Sequence, residues 1–172
     1  MQIRLEQLGP AVIEPYLEML AEPEGRRLTA TTEDFNRTEI EQWLATRATA
    51  SNRRDWSISN AETGEFLGEA VLNFFNDADN SINFRIALKG PELYNRGIGT
   101  QAVSMALEYA FDELMVKTVA LEVLIDNPRA KRVYEKNGFQ PRRFFKSKGH
   151  QYQRMTCTKI NYVAILIQSG VD

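Results

Sequence analysis

The segment Tyr94-Asn95-Arg96-Gly97-Ile98-Gly99-Thr100 lies between an alternating apolar stretch and the start of a long, mostly apolar one. Glycines at Gly97 and Gly99 would let backbone N–H groups come close to an anion, and a helix starting there adds positive potential. Arg96 supplies a charge with the reach to meet a phosphate. No lysine follows Gly99, so the nucleotide-triphosphate loop pattern is absent. A second segment, Asp126 to Phe139, opens with Asn127 as a helix cap and Pro128 at the first helical position, and closes on Gly138. Helical spacing puts Asn127, Ala130 and Tyr134 on one stripe, a small residue between two polar ones. Such a stripe suits a groove that admits an extended ligand. Each segment also has a plain structural reading, as a tight turn before a helix and as a helix with a half-buried packing tyrosine.

These residues need elements to hold them. Ile3, Leu5 and Leu8 predict a short first strand, and Pro10 opens a helix over Ala11 to Leu20. Pro23 to Thr32 reads as a loop and Glu33 to Thr49 as a helix with Phe35, Ile40, Trp43 and Leu44 on its apolar face. From Asp55 the period becomes two. A strand with Trp56 and Ile58, a Thr63-Gly64 turn, a strand from Phe66 to Phe75, a turn at Asp77–Asn80 and a strand from Ile82 to Leu88 make an antiparallel meander. A helix is expected over Ile98 to Leu114, a strand over Thr118 to Ile125 and a short helix over Pro128 to Asn137. Two last strands, Phe139 to Phe145 and Gln151 to Ile167, flank a Lys148-Gly149 turn. The order implies an α+β domain with a mixed sheet, in which the helix between Leu88 and Thr118 joins parallel strands.

The whole chain sets the outer bounds. Its 172 residues suit one domain spanning 1–172, and a 43% hydrophobic, 26% charged composition is that of a globular protein. A formal charge of −2 argues against nonspecific nucleic-acid binding. One cysteine, Cys157, allows no internal disulfide, and with a single histidine, His150, it rules out clustered Cys/His metal sites, so no metal is expected. No stretch is long and apolar enough for a signal peptide or a bilayer span, which points to a cytoplasmic chain with no membrane partner. His150 reads as a solvated turn residue beside Lys146 and Lys148, without the motif a histidine-dependent nucleophile needs. Trp43 and Trp56 read as packing residues, and Glu33, Asp34, Glu39 and Glu41 as an acidic helix start.

Taken in order, the two segments resemble the GNAT acetyltransferases. The Gln/Arg-x-x-Gly-x-Gly/Ala pyrophosphate pattern is met at Gly97 and Gly99, with Tyr94 in its first place and the arginine at Arg96. The later Asn-x-x-Ala-x-x-x-Tyr-x-x-x-Gly-Phe run is met at Asn127, Ala130, Tyr134, Gly138 and Phe139. Over the whole chain the resemblance is looser and points to the ribosomal-protein-alanine (Rim-type) and spermidine acetyltransferase branch. It implies a mostly antiparallel sheet of six to seven strands, with helices on both faces and a central splayed cleft. Acetyl-CoA would lie in that cleft, its pantetheine pairing with Ile86, Ala87 and Leu88. Its pyrophosphate would rest on Arg96, Gly97, Ile98, Gly99 and Thr100, with Asn127 and Ala130 along the arm and Tyr134 near the sulfur.

The chemistry implied is direct attack of a neutral amine on the thioester. A tyrosine near its ordinary pKa of about 10 can protonate a leaving thiolate near about 8.5, which makes Tyr134 the candidate general acid. The strand before the loop carries Asn83, Arg85 and Ala87 on its outer stripe and no carboxylate. Glu69 and Glu122, on neighbouring strands, are candidates for a water-relayed base, and both also read as solvated strand residues. Arg85 reads as an acceptor-carboxylate ligand or as a paired surface arginine. A weak base favours an α-amine, with pKa about 8, over a lysine or polyamine amine near about 10. A peptide or protein N-terminus is therefore the expected acceptor. Small amines (polyamine, amino acid or antibiotic) and a non-catalytic CoA sensor are the alternatives. A homodimer fits the habit of such folds.

Overall fold

The computed structural model describes residues 1–170. Seven strands form one sheet: β1 (Ile3–Gln7), β2 (Arg54–Asn60), β3 (Phe66–Asn76), β4 (Ser81–Leu88), β5 (Thr118–Leu124), β6 (Gln140–Ser147) and β7 (His150–Thr158). Their spatial order is β1-β2-β3-β4-β5-β7-β6. Every neighbouring pair is antiparallel except β4 and β5, which are joined through the crossover helix α4 (Ile98–Glu108). The remaining helices are α1 (Ile13–Ala21), α2 (Pro23–Leu28), α3 (Arg37–Ala45), α5 (Pro128–Lys136) and α6 (Lys159–Gln168).

Period-two alternation gives each strand one side per layer. Trp56, Ile58, Ala70, Leu72, Phe84, Val119, Leu121 and Met155 pack against Ala102, Val103, Ala106, Leu107 and Phe111, which follow one another at helical spacing along α4 and its last turn. On the other side Leu8, Tyr16, Met19, Ile40, Leu44 and Phe66 close α1 and α3 onto β3. The sheet is thus a mixed, mostly antiparallel layer with helices on both faces, the α+β arrangement expected from the sequence.

Four expectations need correction. The stretch read as a loop after Glu22 contains α2, because the Glu22 carboxylate accepts the N–H groups of Glu24 and Gly25 and Pro23 takes the first helical position. The last strand ends at Thr158 rather than continuing to Ile167. Thr158 and Asn161 form a reciprocal capping box that starts α6, and Tyr162 folds back onto the core. The helix expected from Glu33 begins only at Arg37, where Asn36 accepts the Glu39 N–H at 2.9 Å, and ends at Ala45. The long helix is α to Glu108 and closes as a π turn over Tyr109–Glu113, the Leu114 N–H reaching the Tyr109 carbonyl five residues back.

Candidate active site

The sheet splits where its two parallel strands meet. β4 and β5 pair only at Ser81–Asn83 against Thr118–Ala120. Beyond that, β4 continues to Leu88 paired only to β3, and β5 to Leu124 paired only to β7. The divergence opens a cleft of about 470 Å³, within the range of small-molecule sites. Its β4 wall is held in place by a close approach: Gly68, at φ +158°, would put a Cβ 2.3 Å from the Ala87 carbonyl oxygen and 2.9 Å from the Leu88 Cα. Only a residue without Cβ lets β3 pass there, a need the sequence pattern did not signal.

At one end of the cleft lies the N-terminus of α4. Gly97 caps it in the left-handed region, φ +77°, a conformation that favours glycine. Among the described residues no side chain caps this terminus, so Gly97, Ile98, Gly99 and Thr100 bring uncapped N–H groups to the cleft wall. Arg96 lines the same end. A second cation comes from a residue the sequence reading passed over. The Arg129 guanidinium, on α5, stacks 3.4 Å from the ring centroid of Tyr94 and so brings a positive charge to the place where the loop pattern carries Gln or Arg. Burial, the larger influence, nevertheless pushes the Tyr94 phenol up. Nothing in the one-dimensional spacing could reveal that stack.

The other side is built by α5. The Asn127 side-chain oxygen accepts the Ala130 N–H at 3.2 Å, which commits that oxygen to the cap and leaves the amide donors. Ala130 and Tyr134 follow along the wall. Tyr134 is buried, edge-on to Phe139 with ring centroids 5.7 Å apart. Burial alone raises its phenol above the ordinary range, with no hydrogen-bond or charge partner contributing. Among the described residues the hydroxyl has no hydrogen-bond acceptor, and burial keeps it protonated on a side chain that lines the cleft.

Ile86, Ala87 and Leu88, the residues from Arg96 to Thr100, Asn127, Ala130, Tyr134 and Glu122 all line this one cleft. Glu69 does not. Expected as solvated, it is only 5% exposed, because α1 covers it: one carboxylate oxygen accepts the Tyr16 hydroxyl at 2.8 Å and the other lies 3.4 Å from Arg85. Glu122 is exposed at the cleft mouth, 3.9 Å from Arg154. Arg85 is the paired, half-exposed arginine anticipated. Gly25, Leu28 and Thr29, in and just after the unanticipated α2, complete the rim.

A family profile of the acetyltransferase (GNAT) domain matches residues 2–140. The chain belongs to the GNAT acetyltransferase family. A spermidine N(1)-acetyltransferase of Vibrio cholerae is 27% identical to it over 101 residues, 59% of this chain. That alignment spans 57% of the relative's own length. Among solved structures, the spermidine N-acetyltransferase of Vibrio cholerae in complex with CoA and spermine superposes on this GNAT chain with a TM-score of 0.81 at 20% identity, covering 94% of this chain and 98% of that one. A chimeric form of the Vibrio cholerae enzyme gives a TM-score of 0.78 at 22% identity, covering 95% and 99%. At such identities the likeness speaks for the GNAT fold alone. Among the described residues no helix is long and apolar enough to cross a membrane, and no group of His, Cys, Asp or Glu is placed to hold a metal.

Proposed function

We propose that this chain is an acetyl-CoA-dependent N-acetyltransferase acting on a small cationic amine of the polyamine class. The observation that carries the reading is the split between β4 and β5 with the Tyr134 phenol on its wall. An extended amide-bearing arm fits the unpaired edge of β4 at Ile86–Leu88, and a pyrophosphate fits the uncapped α4 terminus flanked by Arg96 and Arg129. Asn127 offers its amide donors along the same wall.

Acetyl-CoA supplies the activated acyl group as a thioester. The amine nitrogen forms a bond to the acetyl carbon while the carbon–sulfur bond breaks. Tyr134 donates its proton to the departing sulfur, and the proton shed by the amine passes through water to Glu122 at the mouth. The phenol is held above its ordinary pKa, so it remains a donor throughout the pH range in which amines are partly neutral.

The acceptor departs from the peptide N-terminus that the bare strand stripe suggested. That expectation rested on the lack of a carboxylate near the reacting position, whereas Glu122 lines the cleft and a buried Glu69 lies behind its β4 wall. The Vibrio cholerae relative matched in sequence, a spermidine N(1)-acetyltransferase, supports the same choice. Incubation of purified protein with acetyl-CoA and either spermidine, spermine, putrescine or N-terminal peptides, read by mass spectrometry, tests the reading. Acetylation of the polyamines and not of the peptides is expected. Acetylated peptide with unmodified polyamine would overturn the choice of acceptor, and no acetyl transfer to any amine would overturn the activity.

A further inference from the structure

The face of the sheet under α1 and α3 carries two buried carboxylates, and they are held very differently. Asp55, 1% exposed, accepts two bonds of 2.7 Å from Arg53 and has Arg47 at 3.9 Å. Its charge is fully committed. Glu69 has a neutral donor, Tyr16, on one oxygen, and on the other, among the described residues, only Arg85, at 3.4 Å and with half of its side chain in solvent. A carboxylate buried this deeply requires a cationic neighbour. Arg85 meets that need from an unusual position, because the same side chain lines the cleft. Glu69 lies opposite Ala87 in the β3–β4 register, and Arg85 and Ala87 project on one side of β4. The guanidinium therefore stands between a buried anion and the cleft.

An arginine so placed is exchangeable, since its stem is long and its head already reaches water. What can replace it at Glu69 is another compact cation with several N–H donors, and an alkylammonium has that chemistry. We propose that Glu69, held by Tyr16, is the subsite for the non-reacting ammonium of a di- or polyamine acceptor, and that Arg85 is a resident cation which this ammonium displaces. The inference rests on the reading of the chain as an amine acetyltransferase, and it makes Glu69 a binding residue rather than a base. It also gives the site a reason to prefer amines with more than one nitrogen: one nitrogen meets the thioester while another neutralises Glu69.

The two ends of this contact must then answer with opposite signs. Spermidine is titrated calorimetrically into the protein saturated with CoA, which binds but transfers nothing, for the wild type, Arg85→Gln and Glu69→Gln. Removing the competing guanidinium tightens spermidine by about 3–10-fold, and removing the carboxylate charge weakens it by about 10-fold or more. CoA affinity, measured first, stays within about twofold in both variants and reports that they are folded. A merely structural ion pair would make both substitutions weaken binding or leave it unchanged, and either result overturns the proposal, as does a wild type that takes up no spermidine. Should Glu69→Gln fail to bind CoA, Arg85→Gln decides alone, because its side chain is half exposed. A wild type that binds spermidine with these signs yet does not acetylate it would refute the enzymatic reading and leave this one standing.

Discussion

Tyr134→Phe separates what the phenol ring does from what its hydroxyl does. The ring is buried and packs edge-on against Phe139 at 5.7 Å, contacts that phenylalanine retains. Among the described residues the hydroxyl has no charge or hydrogen-bond partner acting on it, so its loss removes no bond seen in the folded state. Stability should change by less than about 0.5 kcal/mol, the range of substitutions that break nothing. Turnover should behave otherwise. If the hydroxyl supplies the proton to the departing sulfur, its removal lowers kcat by about 10²–10⁴-fold, equivalent to about 3–5 kcal/mol of barrier. The assay is thiol release from acetyl-CoA followed with a chromogenic disulfide, in parallel with thermal unfolding. Background from the protein is negligible, because its single thiol, Cys157, is buried and pushed up to about 12 by that burial. Since burial raises rather than lowers the phenol, the wild-type rate should show no fall assignable to Tyr134 below about pH 10. A variant with kcat within about threefold of wild type would refute the proton-donor role. So would a drop in unfolding temperature large enough to account for the lost rate.

Gly68→Ala puts a methyl 2.3 Å from the Ala87 carbonyl; it should cost about 1–3 kcal/mol and weaken CoA binding, both measurable by urea melts with and without CoA. Gly64→Ala, at φ +77° with nothing within 4 Å, is the control, losing about 1 kcal/mol with CoA affinity unchanged. Asp55→Asn, by removing the buried carboxylate that holds Arg53, should lower stability by about 3 kcal/mol in urea unfolding. Cys157 makes stability fall in alkali: the folded thiol keeps its proton to about 12, while the unfolded thiol loses its own above about pH 8.5. Rising pH therefore favours the unfolded chain by up to about 1.4 kcal/mol per pH unit in that window, and the slope should shrink in Cys157→Ala.

The cleft residues on α4 and α5 were legible because their placement follows from local geometry. Asn127 and Pro128 start a helix by capping rules, Gly97 opens another, and spacings of three and four align Ala130 with Tyr134. The surroundings of Glu69 depend on what covers what. Alternation along β3 gives the side on which Glu69 projects, but only α1 packing over it turns a surface glutamate into a buried one. Helix α2 escaped because its cap is a glutamate, less usual in that position than Ser, Thr, Asp or Asn. Helix α6 escaped because Ile160, Tyr162, Val163 and Ile165 have the β-branched and aromatic character of a strand, and the Thr158–Asn161 capping box outweighs that propensity. The Arg129–Tyr94 stack joins two segments more than thirty residues apart, and no periodicity connects them.

The parting of β4 from β5 gives this sheet two edges in its interior besides the two at its rim. Edges are where backbone amides exchange with solvent and where foreign strands add. A coenzyme arm laid along Ile86–Leu88 would close one of them, so the free and loaded chains should differ in amide protection at these residues although no element changes its secondary structure. Every decade by which free coenzyme exceeds its dissociation constant then adds about 1.4 kcal/mol to the folded state. The lifetime of the chain against proteolysis and aggregation thereby becomes a function of how much acylated coenzyme its surroundings contain.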